Sequence, residues 1–488
     1  MVTRSVFPPV CAAAAACAVS YYGLFALEQG CGLSFRIFVP VLLSVTALLS
    51  FFEVTLPRTF VRYAAATGIG LVLGLSAHYA AADAPPGGLP AGEITALEGV
   101  LLDDPRGIQA RGSIQGMGRI ELAKIYGGNG LELVPGWRAA RIRVFFDGEN
   151  LPRLADFGRK SVLYVEGVFS GGYFRARSVH VLSPPPQRER ARTAFRMTLL
   201  EKFSRHEWGS LAQAVLLGVR DNLDTGLAGA FTASGCAHVL ALSGMHLGVI
   251  AGLLSLLLKK PLGLKKAALL GAVLVLGYVY LVGPQASLVR SLIMYLIGVL
   301  VIFKGFPRRG ETILAMAFMA QLVLFPSSGR ELSFALSYLA LLGLLTAGPW
   351  VYELVRGKIP PIAAGPLSAS AGAFLVTSPL SALCFGVLYP GGILVALVIS
   401  PLITFFMVLA LIWLFVDVVF PTAALALTMP LSVLYRTLQT VSGAAGLFPS
   451  IPVRGAPAVL AAALAALALL YIGQRKMSLM RKRLEPFG

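Results

Sequence analysis

Long apolar runs separated by short basic segments dominate the chain. A membrane span needs about 20 mostly apolar residues, and twelve stretches approach that length. Three come early, near residues 9–27, 35–56 and 61–82. Nine follow, near 236–258, 267–283, 286–303, 311–325, 331–350, 366–388, 392–416, 420–436 and 457–473. The stretch at 420–436 reads two ways. Leu431, Leu434, Tyr435, Leu438 and Val441 carry a helical stripe past its end, which also fits a helix lying in the membrane interface. The first run is followed at once by two more, with no A-x-A site ahead of a soluble region, which argues against a removable signal peptide.

The pattern changes over residues 85–187, which open on Pro85-Pro86-Gly87-Gly88 and close on Pro184-Pro185-Pro186. Between them lie short alternating runs such as Gly118 to Leu122, Ala140 to Val144, Ser161 to Val168 and Ala176 to Val181. Period-two alternation bounded by Gly, Pro and Asn predicts strands. Five or six of them in this length predict a small barrel or sandwich, and an OB-type barrel fits. Residues 188–207 form a basic linker with Phe195, Leu199 and Phe203 at i, i+4 and i+8, predicting an amphipathic helix in the membrane interface. The expected organisation is therefore N-terminal spans over 1–84, an inserted β domain over 85–187, a linker over 188–235 and a helical membrane domain over 236–488.

Composition fixes the class. With 57% hydrophobic and only 13% charged residues, and a mean hydropathy of +0.77, a soluble enzyme, a disordered chain and a collagen-like chain are all excluded. The fold class is a polytopic α-helical membrane protein of about twelve transmembrane helices with an inserted extracytoplasmic β domain. Cys11, Cys17, Cys31, Cys236 and Cys384 are scattered without a CxxC pair, which excludes a disulfide framework and a thiolate metal site. The net charge of +18 invites a nucleic-acid reading, but much of it sits in short loops: Arg58 and Arg62, Lys259, Lys260, Lys265 and Lys266, Lys304, Arg308 and Arg309, Arg356 and Lys358. The positive-inside rule accounts for these without a polyanion. Twelve spans then place both termini in the cytoplasm.

The β domain is nearly balanced in charge, yet residues 106–143 hold seven bases (Arg106, Arg111, Arg119, Lys124, Arg138, Arg141 and Arg143) against Glu121 and Glu132. A basic face is one reading, and an ordinary solvated strand face is the other. Asp221 and Asp224 read as turn residues ahead of a metal pair. In the helical domain the sharpest pattern runs from Phe231 to Gly248, with His238 and His246 eight residues apart around Ser243-Gly244. On an unbroken helix the two imidazoles share a face about 12 Å apart, too far for one metal ion; a break at Ser243-Gly244 changes that distance, and broken helices at membrane depth mark substrate paths. Structural hydrogen bonding of both histidines is the plainer alternative. Arg290 is carried into a span, where it contacts a phosphate, pairs with Glu331 or snorkels outward. Gly329-Arg330-Glu331-Leu332-Ser333-Phe334 is a polar opening to another span. Only Glu311, Glu331, Glu353 and Asp417 are acidic between 236 and 473, which disfavours a proton relay. No internal repeat, HxHxDH, HExxH, GxSxG or P-loop occurs, and no metal or cofactor is expected.

These residues resemble the ComEC family of competence proteins, inner-membrane channels for DNA uptake in transformable bacteria. Leu216-Leu217-Gly218-Val219-Arg220 followed by Gly235 to Gly248 is similar to the family's Leu-Leu-Gly-x-Arg and His-Leu-Leu-Ala-Ile-Ser-Gly-Leu-His elements. Gly283 to Met294 resembles its Gly-x-x-x-(small)-x-x-Arg-x-x-x-Met element at Arg290 and Met294, and Gly329 to Phe334 resembles Gly-Phe-Gln-Leu-Ser-Phe with Arg330 and Glu331 replaced. Ser378-Pro379-Leu380 and Ser400-Pro401-Leu402 match its later polar breaks. The resemblance implies a bacterial inner-membrane channel importing single-stranded DNA, with an outer OB-type domain. It implies a path along His238, Ser243, His246, Arg290, Glu331 and Ser333, and strand contacts at Arg106, Arg111, Arg119, Lys124, Trp137, Arg141 and Arg143. The implied partners are single-stranded DNA, a delivery protein on the outer face, a cytoplasmic motor or strand-binding protein, and other copies of the chain. Many members carry a C-terminal metallo-β-lactamase-like domain; a shortened form without it is expected here, with a separate nuclease. The alternatives from other classes are a small-molecule transporter and a membrane-embedded enzyme using His238, Ser243 and His246.

Overall fold

In a computed structural model of the protein, the residues described are 9–28, 68–70, 72–74, 76, 94–102, 104, 106–110, 113–127, 132–133, 141–146, 158–170, 173–220, 222–240, 242–283, 285–305, 309–445 and 448–453. The chain divides into two compact units, one of Ala82–Asp224 with Tyr280–Gly283, the other of Met1–Ala81, Thr225–Val279 and Pro284–Gly488.

The first unit is built on β1 (Ile94–Leu101), β2 (Arg106–Ala110), β3 (Ser113–Gly127), β4 (Glu132–Leu133), β5 (Arg141–Phe146), β6 (Val162–Ser170) and β7 (Tyr173–Ser183). They form one seven-stranded sheet with the path β1-β6-β7-β5-β3-β2 and β4 on β3. β1 also pairs with β3, and β5 pairs with β7 in parallel while the other pairs are antiparallel. The alternation seen in sequence sets which side of each strand is buried. Leu163 and Val165 of β6 join Leu97, Ile120, Val144, Phe146 and Phe174 in the core, while Tyr164 and Glu166 face outward. The β domain expected from the sequence is present as this seven-stranded sheet, but not as the closed small barrel that the alternation predicts.

α1 (Pro9–Glu28) precedes the sheet and α2 (Gln187–Ser204) follows it. The stripe expected on α2 is corrected by the structure. Leu199 and Phe203 are buried, but Phe195 is exposed, and the buried side also takes in Glu189 and Arg192. The reason is an ion cluster. Arg192 Nη2 lies 2.6 Å from Asp104 Oδ2, Arg192 Nε 2.9 Å from Glu189 Oε2, and Arg196 Nη1 2.9 Å from Asp104 Oδ2. α3 (Gly209–Ala212) runs into a π-helical turn over Gln213–Leu217 that ends at Gly218 in the left-handed region. The buried Gln213 amide holds this turn, donating to the Leu200 carbonyl and accepting from Asn222.

The second unit is helical: α4 (Thr225–Ala233), α5 (Ala237–Leu240), α6 (Gly244–Val282), α7 (Ala286–Lys304), α8 (Gly310–Leu324), α9 (Leu332–Val355), α10 (Pro361–Phe385), α11 (Gly392–Val419) and α12 (Pro421–Ala445), with the short pair β8 (Val387–Leu388) and β9 (Ile451–Pro452). Five helices among the described residues are long and apolar enough to cross a membrane: Gly244–Val282, Ser287–Lys304, Leu332–Val355, Pro361–Phe385 and Gly392–Val419. Val10–Tyr22 and Gly310–Leu324 are shorter apolar helices. At 39 residues α6 is about 58 Å of helix, nearly twice a bilayer core. It is broken at Gly263 (φ 75°, ψ 166°), between Lys259-Lys260 and Lys265-Lys266, and so takes in most of the expected spans 236–258 and 267–283; residues 237–240 of the first form the separate α5. α12 is not among the five. Its buried face, Ala424, Leu431, Tyr435, Leu438 and Ser442, follows the helical stripe and packs against α11. The expected spans at 35–56 and 457–473, and most of 61–82, lie outside the described residues.

Candidate functional site

The segment around His238 and His246 is broken where its small and polar residues fall. α5 ends at Leu240 and α6 begins at Gly244. Ser243 stands at the start of α6, where its carbonyl accepts the His246 N–H at 3.1 Å. The imidazole reaches back: the Ser243 N–H donates to His246 Nδ1 at 3.0 Å, and Ser243 Oγ lies 2.9 Å from the same nitrogen. This is half of a capping box, with His in the place Glu or Gln usually takes. A nitrogen that accepts a backbone N–H carries no proton, so the geometry assigns the ring proton to Nε2. His246 is fully buried, whereas His238, across the break on α5, is exposed. The structure brings Ser243 and His246 together and leaves His238 apart.

α7 closes the other side of the break. Ser287 Oγ donates to the Leu242 carbonyl at 2.8 Å, tying off an acceptor that the break frees. One turn on, the Arg290 guanidinium lies against Gly244. A Cβ at Gly244 would stand 2.5 Å from Arg290 Nη2 and 2.5 Å from Ser291 Oγ, so a larger residue would make both side chains shift. Arg290 is 8% exposed. Its Nη1 donates to the Ser337 carbonyl of α9, its Nη2 lies 3.4 Å from Ser291 Oγ, and its guanidinium carbon is 5.8 Å from the Tyr338 ring centre. Tyr338 in turn donates to Gln321 of α8 at 2.9 Å. Placing a guanidinium at membrane depth costs roughly 2.5–3.5 kcal/mol on insertion scales, and these contacts offset part of that. No carboxylate pairs with it among the described residues, so the sequence alternative of an Arg290–Glu331 ion pair is not what holds it.

Glu331 and Ser333 sit at the start of α9, where Ser333 Oγ donates to Glu331 Oε2 at 3.3 Å; Ser333 is exposed and Glu331 half-buried. Ser287, Ser291, Ser337, Tyr338 and Gln321 escaped the sequence reading. The first two were findable, because with Arg290 they stand at i, i+3 and i+4 and share a helix face; the others come from helices whose adjacency no local pattern encodes.

In the sheet unit, Arg106 lies on β2, Arg119 and Lys124 on β3, and Arg141 and Arg143 on β5; Arg111 and Trp137 lie outside the described residues. Lys124 is 3.9 Å from Glu98, which also accepts from the Tyr126 hydroxyl at 2.9 Å, so its charge is partly neutralised locally. Arg119 pairs in register with Arg143, and Glu121 with Arg141. No group of three or more His, Cys, Asp or Glu suited to a metal ion occurs among the described residues.

Comparison with known proteins matches the Competence protein family model to residues 215–477, over half of the chain and including every residue of the break. An uncharacterized protein of Aquifex aeolicus is 30% identical over 264 residues, 53% of this chain and 60% of that protein. The ComE operon protein 3 of Bacillus subtilis is 30% identical over 136 residues, 26% of this chain and 17% of that protein. The matched regions thus span under two thirds of either relative's length. No solved structure matches. The chain belongs to the Competence protein family, the ComEC family its motifs resemble.

Proposed function

We propose that the protein is an inner-membrane channel for single-stranded DNA import during natural transformation, and that the helical unit around the Leu242-Ser243 break is its conducting part. The observation that carries this is the Arg290 guanidinium, buried without a carboxylate partner beside a broken helix, in a member of a competence family. Half-helix ends at membrane depth serve polar and ionic cargo elsewhere, and a positive, acid-poor path suits a polyanion. The path runs along Ser243, His246 and Arg290, with His238, Glu331 and Ser333 toward its openings. Both termini are cytoplasmic and twelve helices span the membrane in this reading.

The sheet unit is read as an outer OB-type domain that receives the strand. The pairing of β1 with both β3 and β6, together with the parallel β5–β7 pair, supports that topology. A basic groove and stacked rings hold single strands in such domains; Arg106, Arg111, Arg119, Lys124, Trp137, Arg141 and Arg143 supply the residue types. Moving a strand across a membrane needs a pull from inside and delivery from outside, so in this reading a cytoplasmic motor or strand-binding protein, an outer delivery protein and further copies of the chain complete the machine.

One observation favours a second reading, an enzyme: Ser243 Oγ lies 2.9 Å from His246 Nδ1. The same lone pair also takes the Ser243 N–H, which lowers its basicity toward the hydroxyl, and His238 stands apart. We therefore assign the pair to shaping the break, without covalent catalysis. The experiment is uptake of labelled duplex DNA into a nuclease-protected compartment, in wild-type cells, a deletion, His246→Ala and Arg290→Ala. Loss of protected label in the deletion with surface binding intact is expected. Unchanged uptake in the deletion refutes the channel and favours a small-molecule transporter.

A further inference from the structure

α2 begins beside the end of a helix long enough to cross a membrane. The Tyr280 hydroxyl donates to the Arg188 carbonyl at 3.4 Å, and Arg192 Nη1 donates to the Leu281 carbonyl at 3.2 Å. Tyr280 and Leu281 lie in the last turn of α6 and belong with α2 to the first unit. The last turn of a spanning helix lies at the bilayer surface, where tyrosines collect, and Tyr280 is 43% exposed. These two bonds therefore hold the start of α2 at headgroup level. One side of the helix is buried through Glu189, Arg192, Leu199 and Phe203. The other carries Arg188, Phe195 and Lys202 at i, i+7 and i+14, a single row with a base about 10 Å to either side of the ring. Phe195 is 56% exposed, and its neighbours on that face, Ala191 and Thr198, are small.

We propose that this face of α2 is a phospholipid-binding surface, with Phe195 entering the boundary between headgroups and acyl chains and Arg188 and Lys202 meeting lipid phosphates. The occupant follows from the level that the Tyr280 and Leu281 bonds set and from the charge of the row, which is positive on both sides of one apolar ring. An interfacial helix pairs apolar insertion with basic headgroup contacts in this way, and long basic side chains reach along the surface to phosphates while their stems stay against apolar groups. With Arg192 bonded on one side and lipid on the other, α2 is held against rolling. The inference does not depend on the DNA-channel reading; it needs only that α6 crosses the bilayer.

The test places p-benzoylphenylalanine at position 195 of the full chain, in nanodiscs of phosphatidylcholine with a minority of phosphatidylglycerol, and reads lipid adducts by mass after irradiation. The control position is Glu201, exposed but about a third of a turn round the helix. A lipid adduct several-fold stronger at 195 than at 201 is expected. The ratio of phosphatidylglycerol to phosphatidylcholine in that adduct should exceed the bilayer's about fivefold, the effect of roughly one base at the surface. Arg188→Gln combined with Lys202→Gln is expected to return it to the bilayer's ratio. A melting midpoint is recorded for each variant, and a probe at Thr198, on the same face, gives a second reading should the probe at 195 lower it. No adduct at either 195 or 198, or equal adducts at 195 and 201, overturns the proposal. So does a ratio that the paired substitution leaves unchanged. If added oligothymidylate takes the crosslink in place of lipid, the face holds a nucleic-acid strand and the lipid assignment is wrong.

Discussion

His246 is fully buried at the start of α6, and its work there is geometric: it holds the Ser243 backbone N–H at 3.0 Å. A Gln at the same position can reach back in the same way. His246→Gln is therefore expected to keep the melting midpoint near wild type, while His246→Ala loses about 1 kcal/mol, the usual effect of deleting a cap; thermal unfolding in detergent separates the two. Were the imidazole a catalytic base, both variants would lose function equally. The sequence made His246 and Arg290 visible because ionisable groups are rare in apolar runs. It did not reveal Gly244 as the neighbour of Arg290, since the two lie 46 positions apart and only the packing of α6 against α7 joins them. His238 shows the converse: equally conspicuous in sequence, it lands on a separate short helix.

At the scale of elements, the apolar runs were legible and their ends were not. α6 reads in sequence as two spans because four lysines interrupt it, and the break sits at Gly263 among them. On α2 two of the three stripe residues, Leu199 and Phe203, are buried; Arg192, bonded to Asp104 88 residues earlier, shares the buried side, and Phe195 is exposed. Burial alone would push the Asp104 carboxyl up; the Arg192 hydrogen bonds and charge, with Arg196 and the Arg159 N–H, hold it below the usual carboxylate range instead. A depressed value in the folded state means stability that is whole above about pH 4 and is lost as the pH falls through the folded value. Asp104→Asn is expected to lower stability near neutral pH by about 3 kcal/mol, the low end for a broken buried pair because Asp104 keeps some exposure. That deficit should shrink toward pH 2 in melting curves of the two proteins. α9 and α10 meet through glycines: a Cβ on Gly372 would stand 2.6 Å from the Gly348 nitrogen. Close backbone approach of this kind drives helix association in lipid, so Gly372→Leu is expected to destabilise by about 1–3 kcal/mol and to lower the melting midpoint in detergent.

For the whole molecule, composition alone excluded the soluble classes, and the family match rests on residues 215–477, the stretch that holds the break. The charge of +18 is an orientation signal first. It predicts that a cysteine placed at Lys265 is labelled by an impermeant maleimide in inverted vesicles and not in intact spheroplasts; the reverse pattern would invert the topology. The break also has a mechanical side. Ser287 fastens α7 to the Leu242 carbonyl, and Arg290 and Ser291, one turn on, pack against Gly244. A loop secured at one point swings under tension, whereas one riveted along a helix face transmits load into the helix axis. Load on this segment would therefore be shared between α6 and α7.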